Sequence, residues 1–328
     1  MAILDRNTLR RQAESRLDAA PNGGRLALIF VCVTAALFLA ASIVSMVLDG
    51  QIAGTGGLGG MQLRRTLSTI QTVLNIALLV FVPFWNLGYT SVALKLGRGE
   101  AAGEKDLLNG FRRFGPALRL MLLRQVVNFA VFFVAAQLAS IVFSYTPWAT
   151  PFLQQLENIG LIEAVTEVDE ATMDSLIFAM VPYWIIAGVI YLAVLLPVTY
   201  RLRMAEYRIM DDPKCGAVMA MFESNRMMKG HCLALLKLDL GFWWYYLAYI
   251  LVPVLCYGDV LLPLAGIKLP FDPTVSFFLF YVVAQIAQIL LYWRCRNQVE
   301  CTYVGAYDTM RSEMALPAQP HQSAAWNE

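Results

Sequence analysis

The sequence predicts an all-α protein, a polytopic bundle of six transmembrane helices with amphipathic helices at the inner membrane surface. Of 328 residues, 58% are hydrophobic and only 15% are charged, whereas soluble proteins approach a quarter charged. The apolar residues also form uncharged blocks of about the 20 residues that cross a hydrocarbon core. These blocks are 26–48, 66–94, 125–156, 175–200, 240–258 and 273–293. They lack the alternation of apolar and polar residues that membrane barrels require.

The first block, 26–48, follows five arginines and could be mistaken for a secretory signal. It is longer than the 7–15 apolar residues of such a signal, so we interpret it as a retained span. Before it, Leu9, Ala13 and Leu17 recur at helical spacing. This spacing predicts an amphipathic helix within an N-terminal region, residues 1–25. That helix either lies on anionic lipid or is solvated.

The distribution of Lys and Arg predicts how the chain crosses the membrane. Basic residues concentrate on the cytoplasmic side of bacterial inner-membrane proteins. With the N-terminus in the cytoplasm, 22 of the 25 Lys and Arg residues fall on that side. Six spans then return the C-terminus to the cytoplasm. The six cysteines lie mostly near this reducing side, so we expect free thiols.

Three segments outside the blocks are expected to be connectors or ends. The glycine-rich stretch 50–60 lacks the Lys-Ser/Thr signature of a phosphate loop, which favours a flexible connector. The segment 152–172 predicts a short amphipathic helix, and its acidic residues lack the spacing of a calcium loop. The tail 311–328 is polar and contains proline, so we expect disorder. The six-span domain therefore covers residues 26–310.

The stretch from Lys214 to Gly230 predicts an interfacial helix between two spans. Asp212 and Pro213 are a helix start signal, and Gly230 is a typical stop. A helix beginning at Lys214 places one set of side chains along a single face, with Glu223, Arg226 and Lys229 elsewhere. That set is Val218, Met221, Phe222, Asn225 and Met228.

Lys237 and Asp239 precede the aromatic run 242–246. Aromatic side chains concentrate at headgroup depth, so this region predicts an interfacial anchor. An ion relay between the two charges is disfavoured because positions i and i+2 of a helix do not face each other. Residues 83–125 and residues 197–258 both have the order span, basic segment, glycine and span, which is a weak internal repeat.

Several motifs resemble a known family. They are DLLNGFRRFG at 106–115, the proline of span four, AEYRIMDDP at 205–213, the segment 224–230, the aromatic residues 242–244 and VGAYDTM at 304–310. Together they resemble the uncharacterised bacterial membrane family called domain of unknown function 975. The matching positions are Asp106, Gly110, Phe111, Pro197, Asp212, Pro213, Ser224, Met228, Lys229, Gly230, Phe242, Trp243 and Tyr307. The chain has Val198 where the family has glycine after the proline. The resemblance implies a multi-span protein, distantly similar to the membrane part of some glycerophosphodiester phosphodiesterases, and transfers no catalytic residue.

The residue types disfavour an enzyme. Metal-dependent hydrolysis needs clustered ligands, and Cys215, His231, Cys232, Cys295 and Cys301 are the best candidates, without the spacing of a zinc site. A membrane serine protease needs a histidine within a span, and no block contains one. We therefore expect no metal, no other cofactor and no nucleic-acid partner.

Polar residues inside the blocks are uncharged amides: Asn75, Asn86, Asn128, Gln137, Gln285 and Gln288. We expect hydrogen bonds from Gln285 and Gln288 to Asn75 or Asn128 to join helices rather than line a solute path.

Two functions remain open. The first is a non-enzymatic protein whose basic inner helices contact membrane lipids or another membrane protein through Arg10, Arg11, Arg112, Arg113, Lys214, Arg226 and Lys229. The second is a transporter for a small uncharged or amphiphilic solute or lipid, using space near Pro197. The sequence does not specify the oligomeric state.

Overall fold

The protein is described from a computed structural model covering residues 5–20, 22–54, 58–158, 170–258, 262, 270 and 273–314. Within these ranges the chain is helical and contains no strand. The all-α prediction is therefore confirmed. The α-helices are α1 Arg6–Asp18, α2 Gly23–Gly54, α3 Leu58–Gly97, α4 Asn109–Arg112, α5 Phe114–Ser144, α6 Ala149–Asn158, α7 Glu170–Leu202, α8 Ala205–Asp211, α9 Ala217–Met227, α10 Cys232–Gly241, α11 Trp243–Leu255, α12 Pro273–Leu291 and α13 Asn297–Glu313.

Five helical stretches of the described chain are long and apolar enough to cross a membrane. They are Gly23–Ser45, Arg65–Gly97, Phe114–Ser144, Ala179–Asp211 and Val275–Glu313. A sixth is obtained if α10 and α11, which bend by 68° at a short break, count as one span. The described part of the chain therefore has five or six candidate membrane-spanning helices, as a membrane protein would.

The described helices fall into two compact units. One contains residues 1–118 and 204–328, and the other contains residues 119–203. In the first unit the buried core is centred on Phe30, Trp85 and Tyr89. Phe30 stacks on Trp85 with ring centroids 5.7 Å apart, and the Trp85 indole N–H donates to the Phe30 carbonyl at 3.1 Å. This core joins α2 to α3.

The second unit contains the helix predicted in the acidic segment. The helix α6 lies against α7, and Phe143 contacts both Phe152 and Tyr183 edge to face at 5.8 Å. The amphipathic helix predicted for 152–172 is therefore present through Asn158. Residues 159–169, with most of the acidic cluster considered for calcium, lie outside the described residues.

The N-terminal helix contacts protein, an arrangement that neither sequence alternative included. The helix α1 packs against α13, and Leu9 and Ala13 are buried in that contact. The Arg16 guanidinium donates to the Gly97 carbonyl. The thin apolar stripe of α1 is thus used to cover neighbouring helices.

Three predicted boundaries differ from the structure. The glycine-rich stretch 50–60 is helical at 51–54 and 58–60. The helix α7 continues past Pro197 to Leu202, so Pro197 lies inside the helix. Residues 311–313 of the predicted tail 311–328 instead extend α13 to Glu313, with Arg311 buried. In this last case a long-range ion pair, described below, stabilises residues whose composition alone suggests disorder. Residues 315–328 lie outside the described residues.

Candidate functional site

The helix predicted to begin at Lys214 is present as α9, but it begins three residues later, at Ala217. The Asp212 carboxylate accepts from the Lys214 backbone N–H at 2.9 Å. This bond turns the chain, and extended backbone at Gly216 then precedes the first helical residue, Ala217. At the other end Gly230 has a φ of +85°, a conformation that glycine adopts at little cost.

One face of α9 is fixed by buried contacts. Ala217, Ala220 and Ser224 are buried there, and the same face carries Glu223. The Arg208 guanidinium of α8 pairs with Glu223 and also with Asp212 at 3.1 Å. Glu223 is therefore an internal acid, which the sequence pattern did not distinguish from a surface charge.

The opposite face of α9 is apolar and exposed. Val218, Met219 and Phe222 are 69%, 53% and 63% exposed. Arg226 and Lys229 follow and are also exposed. We call these five residues the α9 stripe. It places Arg226 on the same side as Val218 and Phe222, because positions i, i+4 and i+8 share a helix face.

The helices α10 and α11 continue this exposed surface across their bend. Leu233 and Leu240 are exposed on α10, as are Trp243 and Trp244 on α11. Lys237 is exposed, whereas the Asp239 carboxylate accepts hydrogen bonds from Tyr303 and, at 3.3 Å, from Tyr246. The Tyr303 hydroxyl thus links Asp239 of α10 to α13.

A buried ionic cluster joins the ends of α3, α8 and α13. Arg98 donates two hydrogen bonds to Asp308, at 2.6 and 3.1 Å, and one to Asp211 at 2.7 Å. Asp211 also accepts from the Arg311 guanidinium and, at 3.0 Å, from the Tyr307 hydroxyl. Burial disfavours the charged form of Arg98, but the bonds to both carboxylates outweigh it and raise its pKa.

This ionic cluster was not anticipated from the sequence. Its members are more than 90 residues apart along the chain except within α13, so no local spacing links them. The family-like motifs gave a partial signal, because AEYRIMDDP and VGAYDTM each supply residues to it. The arrangement can hold three helix ends together.

Arg113 departs from its predicted position facing lipid. It is buried and donates to the Ile209 carbonyl at the end of α8. Burial lowers its pKa. The other expected lipid-facing residues differ in exposure: Arg11, Arg112, Lys214, Arg226 and Lys229 are exposed, and Arg10 is half-buried against the Phe242 ring at 5.6 Å.

Most family-like positions are structural. Ser224, Met228, Phe242 and Tyr307 are buried. Asp106 accepts from Lys95 at 2.8 Å and from the Gly103 N–H at 2.8 Å, while Phe111 lies on Phe84 and Phe81. Trp243, Pro213 and Lys229 are exposed. The motif positions therefore fix the turns and helix ends that present the α9 stripe.

The intramembrane amides make different contacts from those expected. The Asn128 side chain is 3.5 Å from Gln125 of its own helix, Gln288 hydrogen-bonds Tyr292, and Gln285 is half-buried. Asn75 and Gln137 are exposed. The polar bond between α2 and α12 is instead from Ser42 to Tyr281, at 2.9 Å.

A buried arginine lies at the break between α12 and α13. Residues Tyr292–Arg296 form a π-helical turn, a feature frequent at functional sites. The Arg296 guanidinium lies over the rings of Phe30, Tyr89 and Tyr292 at 4.4, 4.7 and 4.9 Å. It donates to the Asn86 side chain at 3.1 Å. The sequence prediction ended the last span at residue 293, so it did not include Arg296 in that span.

The candidate metal ligands are not gathered into a site in the described chain, where no group of three or more His, Cys, Asp or Glu could hold an ion. His231 lies 3.1 Å from Glu313. All six cysteines are free thiols, and burial raises the pKa of Cys215 to about 11.

Comparison with known proteins agrees with the resemblance stated from the motifs. No curated protein and no solved structure matches the chain. One family model matches residues 5–298, which include the α9 stripe, the Arg296 turn and part of the ionic cluster. The chain therefore belongs to the family described as protein of unknown function (DUF975).

Proposed function

We propose that this protein is a non-enzymatic, multi-pass protein of the bacterial cytoplasmic membrane that binds anionic lipid headgroups through basic amphipathic helices at the inner leaflet. The α9 stripe carries this proposal. Its exposed apolar residues precede two exposed cations, Arg226 in the last turn of α9 and Lys229 just beyond it. Interfacial helices combine an apolar face with basic residues in this way.

The rest of α9 supports a surface role for the stripe. The buried pairing of Arg208 with Glu223 and Asp212 holds the helix from behind. Val218, Met219 and Phe222 consequently stay exposed while the helix remains ordered. Exposed apolar surface beside cations suits the boundary between headgroups and acyl chains, where each basic residue contributes about 1 kcal/mol of attraction.

The transmembrane topology that fits this proposal is six spans with both termini in the cytoplasm, which puts α9 on the inner side. It is supported by the positive-inside bias of the sequence and requires α10 and α11 to act as one bent span.

Neutralising the basic end of the stripe tests the proposal. In the variant Arg226→Gln/Lys229→Gln, we expect purified protein to retain less phosphatidylglycerol, measured by lipid mass spectrometry, because the loss of about 2 kcal/mol of headgroup attraction weakens binding at the stripe roughly 30-fold. Both side chains are exposed, so thermal unfolding should be unchanged.

The variant Arg226→Lys/Lys229→Arg is the matched control, since it keeps both charges and should retain lipid like the parent protein. Equal lipid retention by the neutral variant would contradict the proposal.

A transporter for a small uncharged or amphiphilic solute is the second candidate. The bent pair α10–α11 favours it, because broken helices form binding sites in many transporters. Arg296, the last residue of the π-helical turn, adds an ionisable group of the kind found in translocation paths. Vesicles containing the protein would then move glycerol or a short-chain phospholipid faster than protein-free vesicles, and Arg296→Gln would slow that movement.

A further inference from the structure

A cleft of about 770 Å³ lies between the start of α1 and α10. Arg6 and Asp5 line it from α1, while Leu233, Lys237 and Leu240 line it from α10. Its volume is within the range of about 300–1,000 Å³ that small-ligand sites occupy. It adjoins the α9 stripe at Gly230, which follows Lys229, but none of the five stripe residues lines it.

The two sides of the cleft are held in place by packing. A methyl group at Gly241 would lie 2.9 Å from Arg6 Cδ, so the Arg6 stem runs closely over the end of α10. One turn further along α1, the Arg10 guanidinium lies over the Phe242 ring at 5.6 Å, and Leu9 is buried. Arg6 is therefore positioned by the fold.

The cleft carries a surplus of positive charge. Among the described residues, no hydrogen bond or ion pair joins Arg6 or Lys237 to a carboxylate. The Asp5 carboxylate is used at the start of α1, where it accepts from the Thr8 hydroxyl at 2.5 Å and the Asn7 backbone N–H at 3.3 Å. In the described structure, Arg6 and Lys237 thus have no carboxylate partner, and the carboxylate of Asp5 is already hydrogen-bonded. This arrangement favours the binding of an anionic group.

The remainder of the α10 side is apolar. Leu233 and Leu240 are 72% and 60% exposed, and their spacing of seven residues places them along one helix face with Lys237 between them. Water is a poor solvent for this surface. A ligand that complements the cleft has an anionic group beside a hydrocarbon chain.

We propose that the cleft binds one anionic phospholipid, with its phosphate at Arg6 and Lys237 and an acyl chain along Leu233 and Leu240. The inference rests on the proposed lipid-binding function and assigns it a defined single-lipid site, distinct from the weaker headgroup contacts of the α9 stripe. The adjoining exposed Trp243 and Trp244, at the start of α11, agree with a cleft at headgroup depth.

Native mass spectrometry of the delipidated full-length protein in detergent tests this site. Titration with phosphatidylglycerol should give one adduct that forms before any others, and phosphatidylcholine should form it more weakly. The variant Lys237→Gln should weaken this adduct about fivefold, and Arg6→Gln/Lys237→Gln by more than tenfold, because one basic residue near an anionic headgroup contributes about that factor. Lys237 is exposed, so Lys237→Gln should fold like the parent protein. A weaker adduct of this variant then reports on lipid binding and not on misfolding.

Two further arms separate the alternatives. Glycerol 1-phosphate should not compete with the lipid, and Leu233→Ser/Leu240→Ser should weaken the adduct, since the acyl chain contributes to binding. Arg226→Gln/Lys229→Gln should leave the first adduct unchanged and reduce only the later ones. If Arg226→Gln/Lys229→Gln retains as much lipid as the parent protein, the α9 proposal is wrong and the single-lipid site is unaffected. If Arg6→Gln/Lys237→Gln binds phosphatidylglycerol like the parent protein, or if glycerol 1-phosphate competes fully, the single-lipid site is wrong.

Discussion

At the residue scale, Asp211 is the most consequential side chain that the structure reveals. It is 4% exposed and receives hydrogen bonds from Arg98, Tyr307 and Arg311. A buried carboxylate of this kind is stable only with its partners, and removing one member leaves opposite charges buried without compensation. The adjacent Asp212, which the sequence motif emphasised equally, instead pairs with Arg208 and turns the chain toward α9.

The variant Asp211→Asn should therefore lower the free energy of unfolding by on the order of 3 kcal/mol, because Arg98 and Arg311 would lose a shared counter-charge. Unfolding by SDS in mixed micelles measures the change. The control is Glu104→Gln: Glu104 pairs with Arg25, but these side chains are 58% and 71% exposed, and exposed pairs contribute about 0–1 kcal/mol. Equal effects of the two variants would show that the ionic cluster does not hold the helix ends.

At the element scale, the short 3₁₀ helix Glu104–Leu108 and α4 lie unusually close to α3. A methyl group at Gly88 would lie 1.8 Å from the Leu107 carbonyl oxygen, and one at Gly110 would lie 2.0 Å from the Phe84 carbonyl oxygen. Only hydrogen fits at either position. This close approach places Asp106 beside Lys95 and Phe111 on Phe84, which explains why the segment combines glycine, aromatic and charged residues.

We expect Gly110→Ala to destabilise the protein by about 3 kcal/mol, because overpacking against a backbone carbonyl leaves no flexible group to move. Gly188→Ala is the matched control. A methyl group there meets nothing within 4 Å, and Gly188 lies in the interior of α7, where alanine is favoured over glycine by about 0.5–1 kcal/mol. The melting temperatures of the two variants in detergent should shift in opposite directions from that of the parent protein. Similar shifts would contradict the packing argument.

At the scale of the whole molecule, the placement of Lys and Arg predicts which ends of the candidate spans share a side of the membrane. A cysteine at position 214 tests this threading, because Lys214 is exposed. In Lys214→Cys, we expect a membrane-impermeant maleimide to label the protein only after cells are permeabilised. The unsubstituted protein gives the background from its native thiols.

Leu153→Cys is the opposite case. Leu153 is exposed in α6, which the threading places on the outer side, so labelling should occur in intact cells. Labelling of Lys214→Cys in intact cells would overturn the orientation, and the inner-leaflet role of the α9 stripe would fail with it.

The helical class, the apolar stretches and the helix that precedes Gly230 followed from the sequence alone. These features depend on local composition: a run of about 20 apolar residues suits hydrocarbon wherever it occurs, and Gly230 ends its helix through its own backbone freedom. The resemblance to the family also rested on short motifs, which are local.

Only the tertiary structure decided how charged and amphipathic residues are used. In the folded protein, α1 packs against α13, and Arg113 and Glu223 are buried. Arg98 pairs with both Asp211 and Asp308. The tertiary structure also aligned Arg6 with Lys237 in one cleft. An ion pair depends on distance in space and on burial, neither of which spacing along the chain encodes. A charge that local patterning assigns to the surface can therefore become an internal partner once distant helices meet.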